Sequence, residues 1–443
     1  MLSTLATLGA AGLLAEVWRS HRQLASRLDP GAGTTSLVAY PSVTVVRPIR
    51  GLDASARENI RAALDTGYPG SVQTLFVLDD ESEPAVPLIR EAIAERRSAG
   101  QPVDASVLFC GRPPAGRTGK LNAMIVGYRH ASGEVIAFAD SDIRPDREAL
   151  RVLIETLLAR PDAGAAFAPT VPIEPTRTTG DAGYALLLNG LYGPAFAYVA
   201  HHNGGQMPFI MGQFMAFRRE AIEAIGGLEC ADGQLVDDMY LGTKVVQAGM
   251  LNVVSPKTVP IIQHDLGLAD FVSTYVRWIT FSRSGLPGRA FKIISWLRGA
   301  VFWAGIVLAV VAGVQGWWTA AVLAGLVPLA SSASINVLHR VYGGGALRLR
   351  HLWVGFGLVL TAPLVMLSIL TRREVNWRGR TYALNASSRL ATAGEPVAAS
   401  ADDDWAPVSS VIVRPSSRGG EVTGLGEDAG FADPISVTTT VAV

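Results

Sequence analysis

The side chains in this sequence best suited to chemistry are acidic, and most of them sit where an apolar run stops. Val-Leu-Asp-Asp at 77–80 closes such a run with Asp80. A carboxylate there can accept a hydrogen bond from a nucleobase N–H, or it can simply cap the turn that follows. Ala-Phe-Ala-Asp-Ser-Asp-Ile-Arg-Pro at 137–145 places Asp140 and Asp142 one residue apart after another run. Two carboxylates so spaced can share a divalent cation with a diphosphate, and hard oxygen ligands suit magnesium or manganese. The competing reading is a polar turn. Gln-Leu-Val-Asp-Asp-Met-Tyr-Leu-Gly at 234–242 opens a helical stretch with Asp237 and Asp238. That acidic pair can serve the helix dipole, or one member can act as a general base toward a hydroxyl. Asp238 is the first choice for that role and Asp237 the alternative.

Cationic and aromatic side chains complete the set. Arg277 and Trp278, in Thr-Tyr-Val-Arg-Trp at 274–278, can meet a diphosphate and floor a sugar or lipid. They can equally belong to an amphipathic interface helix. Lys120, in Arg-Thr-Gly-Lys-Leu-Asn-Ala, can reach a donor phosphate or stay solvated, and its surroundings lack the spacing of a Walker loop. His201, His202 and His264 show no zinc-ligand spacing. Cys110 and Cys230 are too few for a disulfide framework and read as reduced thiols.

An alternating pattern must position these groups. Strand-like segments at 36–40, 43–46, 74–78, 107–110, 135–139 and 165–169 are interleaved with helical ones at 54–66, 84–97, 120–131 and 147–158. Such alternation predicts an α/β domain over 36–285 with a mostly parallel sheet, whose ligands bind beyond the carboxyl ends of the strands. Charged residues make up only 17% of the chain while 49% are hydrophobic, which points to a globular domain joined to membrane segments. An N-terminal anchor is expected at 1–18, an interface segment at 286–298, transmembrane helices within 299–370 and a disordered tail at 386–443. Arg19, Arg22 and Arg27 after the first apolar run place the α/β domain in the cytoplasm. Arg340, Arg348 and Arg350 before the last span, and Arg372, Arg373, Arg378 and Arg380 after it, make both of its flanks look cytoplasmic. Either one segment is re-entrant or interfacial, or the charge rule fails locally. The formal net charge of zero and the lack of a basic, aromatic-interleaved stretch argue against nucleic acid as a partner.

The ordered series Asp80, Asp-Ser-Asp, Asp-Asp and Arg-Trp, together with Val-Thr-Val-Val-Arg-Pro-Ile-Arg-Gly-Leu-Asp at 43–53, resembles the family 2 type of GT-A glycosyltransferase. Within that type it resembles above all the ceramide glucosyltransferase family, family 21. The resemblance implies a GT-A domain, Rossmann-like in build, that transfers a hexose, typically glucose, from a UDP-sugar to a membrane lipid hydroxyl such as that of ceramide, with inversion. It implies Asp80 at the donor's uracil, Asp140 and Asp142 at the Mg2+ or Mn2+ and the diphosphate, and Asp238 as the base. Arg277 and Trp278 would close the site. Two positions depart from the family pattern: Thr274 stands where Gln or Arg is usual, and Asp-Ser-Asp replaces Asp-Ser-Gly. Transfer to a hopanoid or another lipid, and processive polysaccharide synthesis, are the alternatives. The expected setting is a bacterial inner membrane.

Overall fold

The structure, a computed structural model, describes residues 1–25, 36–285, 288–385 and 389–391, with backbone alone for 288–298. It begins with helix α1 (Leu2–Leu24) and then enters the alternating region: β1 (Val43–Pro48), α2 (Ala56–Leu64), β2 (Val72–Leu78), α3 (Val86–Ser98), β3 (Asp104–Phe109), α4 (Gly119–Arg129), β4 (Val135–Ala139), α5 (Ala149–Leu158) and β5 (Ala163–Phe167). A less regular stretch follows: β6 (Thr170–Pro172), α6 (Thr179–Leu186), a π-helical turn (Leu187–Tyr192), α7 (Gly193–His202), β7 (Gln206–Met207), β8 (Phe214–Arg218), α8 (Arg219–Ala224), α9 (Asp237–Gln247), β9 (Leu251–Val254), β10 (Val259–Ile261) and α10 (Leu268–Gly285). Three apolar helices, α11 (Gly288–Val314), α12 (Trp318–Val341) and α13 (Val354–Leu370), lead to a closing hairpin, β11 (Glu374–Trp377) and β12 (Arg380–Ala383).

Eight strands form one mixed sheet in the order β3-β2-β1-β4-β8-β5-β9-β7. The half from β3 to β4 is parallel throughout, as the alternation predicts. β8 then enters antiparallel between β4 and β5. It is a short run, Phe-Met-Ala-Phe-Arg, separated from β5 by α6, the π-helical turn and α7, so no simple strand-helix-strand unit announces it. Residues 36–40, expected as strand, are not in a strand. Tyr40 instead packs edge-on to Tyr68 and its hydroxyl donates to Glu155 at 2.5 Å.

β1 is buried on both faces, and the alternating direction of its side chains explains the layering. Val43 and Val45 join the cluster that includes Leu150, Leu153 and Leu157 of α5, while Val46 joins Leu121 and Met124 of α4 on the other face. α4 comes close because Gly127 faces β1: a Cβ there would lie 2.3 Å from Cγ1 of Val46. The helix is started by Thr118, whose hydroxyl accepts from the N–H of Leu121 at 3.1 Å.

Trp318–Val341 and Leu349–Leu370 are long and apolar enough to cross a membrane, and Gly299–Val314 is a shorter apolar stretch. Residues 288–298, expected as a separate interface segment, form the first turns of α11. α1 packs along α12 and α11. Its C-terminal end meets that of α12, where the Tyr342 hydroxyl donates to the Leu24 carbonyl at 2.7 Å. The loop between α12 and α13 lies on the α/β domain. Gly345 N–H donates to the Pro172 carbonyl at 3.1 Å, Thr176 N–H to the Ala346 carbonyl at 3.2 Å, and Arg350 to the Arg177 carbonyl at 2.7 Å. Arg27 and, apart from 389–391, the tail expected at 386–443 lie outside the described residues; Leu390 is buried and its N–H donates to the Gly233 carbonyl at 3.0 Å.

Gly127→Leu should lower the thermal unfolding midpoint, because overpacking a filled interface costs roughly 1–3 kcal/mol. An unchanged midpoint would place α4 elsewhere than against β1.

Candidate active site

A cavity of about 370 Å3 opens at the carboxyl ends of the parallel strands, where α/β sheets bind ligands. Each wall comes from a different element. The residues after β1 bring Arg50 and Asp53, and the end of β2 brings Asp79. The start of α4 brings Lys120, and the loop after β4 brings Asp140, Ser141 and Asp142. The start of α9 supplies Asp237 and Asp238, and α10 supplies Arg277 and Trp278.

So many carboxylates can share one cleft only if cations stand among them. Arg47, on β1 and 1% exposed, lies beneath the Asp140 loop. Its guanidinium donates to the carbonyls of Asp140 at 2.8 Å and Ile143 at 3.2 Å. Burial pushes it down to about 10, partly offset by Asp140, Asp142 and Asp53. Lys120 stands inside the cluster, its ammonium 2.6 Å from Oδ1 of Asp140 and 3.0 Å from the Gly212 carbonyl. Burial opposes its charge, but Asp140, Asp237 and Asp238 more than compensate and hold it above the usual lysine range.

Asp142 is driven the other way. Burial, then Asp140 and Asp53, raises it to about 7. Its Oδ1 is buried without a hydrogen-bond partner. Among the described residues no group of three or more His, Cys, Asp or Glu side chains is arranged to hold a metal ion by itself. Magnesium-type cations do not need such a cage, since one or two carboxylates together with substrate phosphates suffice. The unpartnered Asp142 oxygen beside Asp140 fits that kind of site.

The α9 pair divides its duties. Asp237 is 3% exposed; its Oδ1 accepts from the N–H of Asp238 at 2.9 Å, and its Oδ2 is an orphan. Burial and the neighbouring Asp238 lift it to about 6 despite Lys120. Asp238 is the more accessible member. Its Oδ2 accepts from the Gly212 N–H at 2.5 Å and its Oδ1 from the Met239 N–H at 2.8 Å, which fixes the carboxylate rigidly. Burial raises it above the ordinary aspartate range, while Lys120 and the two backbone donors pull back. Gly212 is needed here, since a Cβ would lie 2.6 Å from Oδ2 of Asp238.

α10 carries the remaining expected pair. Arg277 Nη2 donates to the Thr274 hydroxyl at 3.5 Å, and its Nε is buried and unpartnered. Burial, with Arg378 nearby, lowers its basicity. Trp278 packs against Tyr184 and Tyr192 at centroid distances of 5.3 and 5.8 Å. Tyr192 continues to Phe196 at 5.9 Å and Phe196 to Phe209 at 5.6 Å, so one wall of the cavity is aromatic. The π-helical turn that carries Tyr192 is pressed on α12, where a Cβ on Gly190 would meet Ile335 at 2.6 Å. Such turns are often found at functional sites.

The structure therefore brings together Lys120, Asp140, Asp142, Asp237, Asp238, Arg277 and Trp278. Asp80 is placed outside: it is exposed and accepts from the N–H and hydroxyl of Ser82 at 2.9 and 2.5 Å. A strand alternates its sides, so the neighbour Asp79 faces the cavity instead. There it is ion-paired with Arg50 and, at 2.6 Å, with Arg380. Arg380 belongs to the β11–β12 hairpin, which reaches over the cleft with Trp377, Arg378, Arg380 and Tyr382. Tyr382 accepts from the first N–H of α4, that of Gly119, at 3.0 Å, and Trp377 packs on Phe281 at 5.5 Å. In the sequence, Arg378 and Arg380 stand as flanking charge after the last apolar span. The signal was local: two β-prone runs separated by a Gly-containing pair, Trp-Arg-Gly-Arg-Thr-Tyr at 377–382.

Comparison with known proteins bears on what the cleft is for. Ceramide glucosyltransferase 3 of Caenorhabditis elegans is 24% identical over 253 residues, covering 56% of this chain and 52% of that protein. Probable glycosyltransferase YdaM of Bacillus subtilis is 25% identical over 214 residues, 47% of each chain. The chain thus spans about half the length of these curated relatives. Among solved structures, the mannosyltransferase PcManGT of Pyrobaculum calidifontis, in complex with GDP-Man and Mn2+, superposes with a TM-score of 0.47 at 18% identity, covering 81% of this chain and 97% of that one. The family model for Glycosyl transferase family 21 matches residues 4–390, from the first helix through the hairpin to its end, and the chain belongs to that family.

Proposed function

We propose that the protein transfers a hexose, glucose by the names of its relatives, from a UDP-sugar to the hydroxyl of a membrane lipid of ceramide type, with inversion at the anomeric carbon. The observation that carries this is the clustering of buried, unpartnered polar atoms on one cavity. Asp142 Oδ1, Gln213 Oε1, Asp237 Oδ2 and Arg277 Nε all lack partners there. Most buried polar groups in proteins are hydrogen-bonded, so four such atoms converging on one cavity favour a polar ligand there.

Asp79, rather than Asp80, is the carboxylate that faces the cavity; Arg50 and Arg380 share its Oδ2, which leaves Oδ1 to accept from the donor's base. Asp140 and Asp142 are the residues that would hold Mg2+ or Mn2+, a cation that stabilises charge on the departing diphosphate. Lys120 and Arg277 add positive charge where the diphosphate leaves. Asp238 takes the proton of the acceptor hydroxyl as its oxygen bonds to the anomeric carbon; the bond from that carbon to the diphosphate breaks, and its electron pair leaves with UDP. The aromatic wall from Trp278 to Phe209, joined to α12 through the π-helical turn, supports an acceptor that arrives from the bilayer. Asp238→Asn should lower kcat by about 10²–10⁴-fold and leave UDP-sugar affinity nearly unchanged. Lipid mass spectrometry of cells with and without the gene identifies the product; normal turnover in the variant would remove Asp238 from the reaction.

Because Asp238 must be ionised to accept a proton, its raised pKa means that activity falls as pH drops through the titration of the Asp237–Asp238 pair. The acid limb is expected above the ordinary aspartate range, because burial raises both members of the pair. Asp237→Asn keeps an oxygen for the Asp238 N–H but removes a like charge, so the limb should move to lower pH. A kcat–pH profile that stays in place in this variant would show that the two groups titrate independently.

We place the α/β domain on the cytoplasmic side of a bacterial inner membrane, with α1, α11 and α12 crossing and α13 re-entrant. The support is that α13 starts and ends beside the α/β domain: Arg350 meets Arg177 before it, and Arg380 meets Asp79 after it. In a cysteine-free background, Leu349→Cys and Arg372→Cys should both react with an impermeant maleimide from the cytoplasmic side only. Labelling of the two from opposite sides would make α13 a full span.

A further inference from the structure

The β11–β12 hairpin turns through Arg378 and Gly379, both at positive φ, 51° and 72°. A two-residue turn of that kind favours Asn, Asp or Gly at its first central position. An arginine held in the left-handed region is uncommon and invites a functional reason. What its side chain touches supplies one. Nη1 forms an ion pair with Asp53, and Nη2 lies 3.9 Å from Oδ2 of Asp142. Arg50 Nε holds the Arg378 carbonyl at 2.6 Å, so the backbone is pinned with the guanidinium directed at these carboxylates. Asp53 in turn accepts from the Ser141 hydroxyl, inside the Asp140–Asp142 loop.

We propose that Arg378 is the resting counter-cation of the donor site. With no donor bound it neutralises Asp53 and Asp142. It gives up Asp142 when a divalent cation arrives with the nucleoside diphosphate, and its guanidinium then turns to the diphosphate. This rests on the reading of Asp142 as a cation ligand made above. A divalent cation on Oδ1 of Asp142 would stand beside the Arg378 guanidinium at Oδ2, and two positive charges that close repel, whereas guanidinium pairs well with phosphate oxygens. Arg378 is therefore a positioning residue that makes cation binding conditional on the nucleotide. A metal ion alone has to displace a tethered arginine, while a metal ion with a diphosphate offers that arginine a new partner. Arg380 and Arg50, paired with Asp79, leave the hairpin anchored during the exchange.

The test is Mn2+ binding to the purified full-length protein, followed through the electron paramagnetic resonance signal of free Mn2+, with and without UDP. The wild type should bind Mn2+ weakly alone and much more tightly with UDP. Arg378→Gln should tighten Mn2+ binding without UDP by roughly tenfold, the scale of a lost close charge contact, and should shrink the enhancement by UDP. Arg378→Lys should stay near the wild type. Trp377→Ala loosens the hairpin from Phe281 and leaves every carboxylate intact; it should shift Mn2+ affinity in the same direction as Arg378→Gln, so the comparison survives if one variant fails to fold. A merely structural role would weaken Mn2+ binding or leave it alone, and equal Mn2+ affinity of wild type and both variants without UDP overturns the proposal while the cation site stands. Failure of the wild type to bind Mn2+ even with UDP overturns the cation site itself, and this inference with it.

Discussion

The architecture depends on keeping several like charges together at one edge of a sheet. Asp53, Asp79, Asp140, Asp142, Asp237 and Asp238 all line one cavity, and unscreened carboxylates at such spacing would repel or take up protons. Arg47 answers this from below, tied to the backbone of the Asp140 loop. Lys120 answers it from within, Arg277 from α10, and Arg378 and Arg380 from above. Removing Arg47 would leave the loop's carbonyls unpaired in the core as well as the charges unbalanced. The sheet order follows the same need, because β1, β2 and β4 lie side by side and bring their carboxyl ends, and hence Arg50, Asp79 and Asp140, to one place.

Cations also explain why the acidic residues differ in character although they are chemically alike. Asp140 faces Lys120 directly. Asp142 faces a distant guanidinium and two carboxylates, and rises toward neutral pH. Asp238 is held by two backbone N–H groups while its neighbour Asp237 is buried. On the function proposed above, one residue type would serve as phosphate-side charge, metal ligand and proton acceptor, with the surroundings setting the role.

Much of this was legible in the sequence because strand-helix alternation with acidic strand ends is a local pattern. The α/β domain and the parallel half of the sheet follow from it, whereas Lys120, Asp237, Asp238, Arg277 and Trp278, which stand on helices, are legible as residue types and join Asp140 and Asp142 only through the ordered series of motifs and the resemblance it carries. The choice of Asp80 over Asp79 went the other way for a reason of register: one residue decides which face of a strand end a side chain takes, and nothing in the letters at 77–80 fixes it. β8 escaped because its pairing is non-local. The hairpin escaped because its arginines stand three hundred residues in sequence from the aspartates they meet, as with Arg380 and Asp79, and charge near an apolar helix invites a topological reading first.

The position of that hairpin sets an order of events during synthesis. Every carboxylate of the cleft lies before residue 239, whereas Arg378 and Arg380 follow all the apolar helices. A nascent chain whose α/β domain has left the ribosome still lacks the arm that closes its cleft. That arm emerges only after α11, α12 and α13 have been made. The protein is in this sense assembled like a lock whose last part is delivered behind three apolar helices, so a copy that stalls before them remains an open domain with an uncovered acidic cleft.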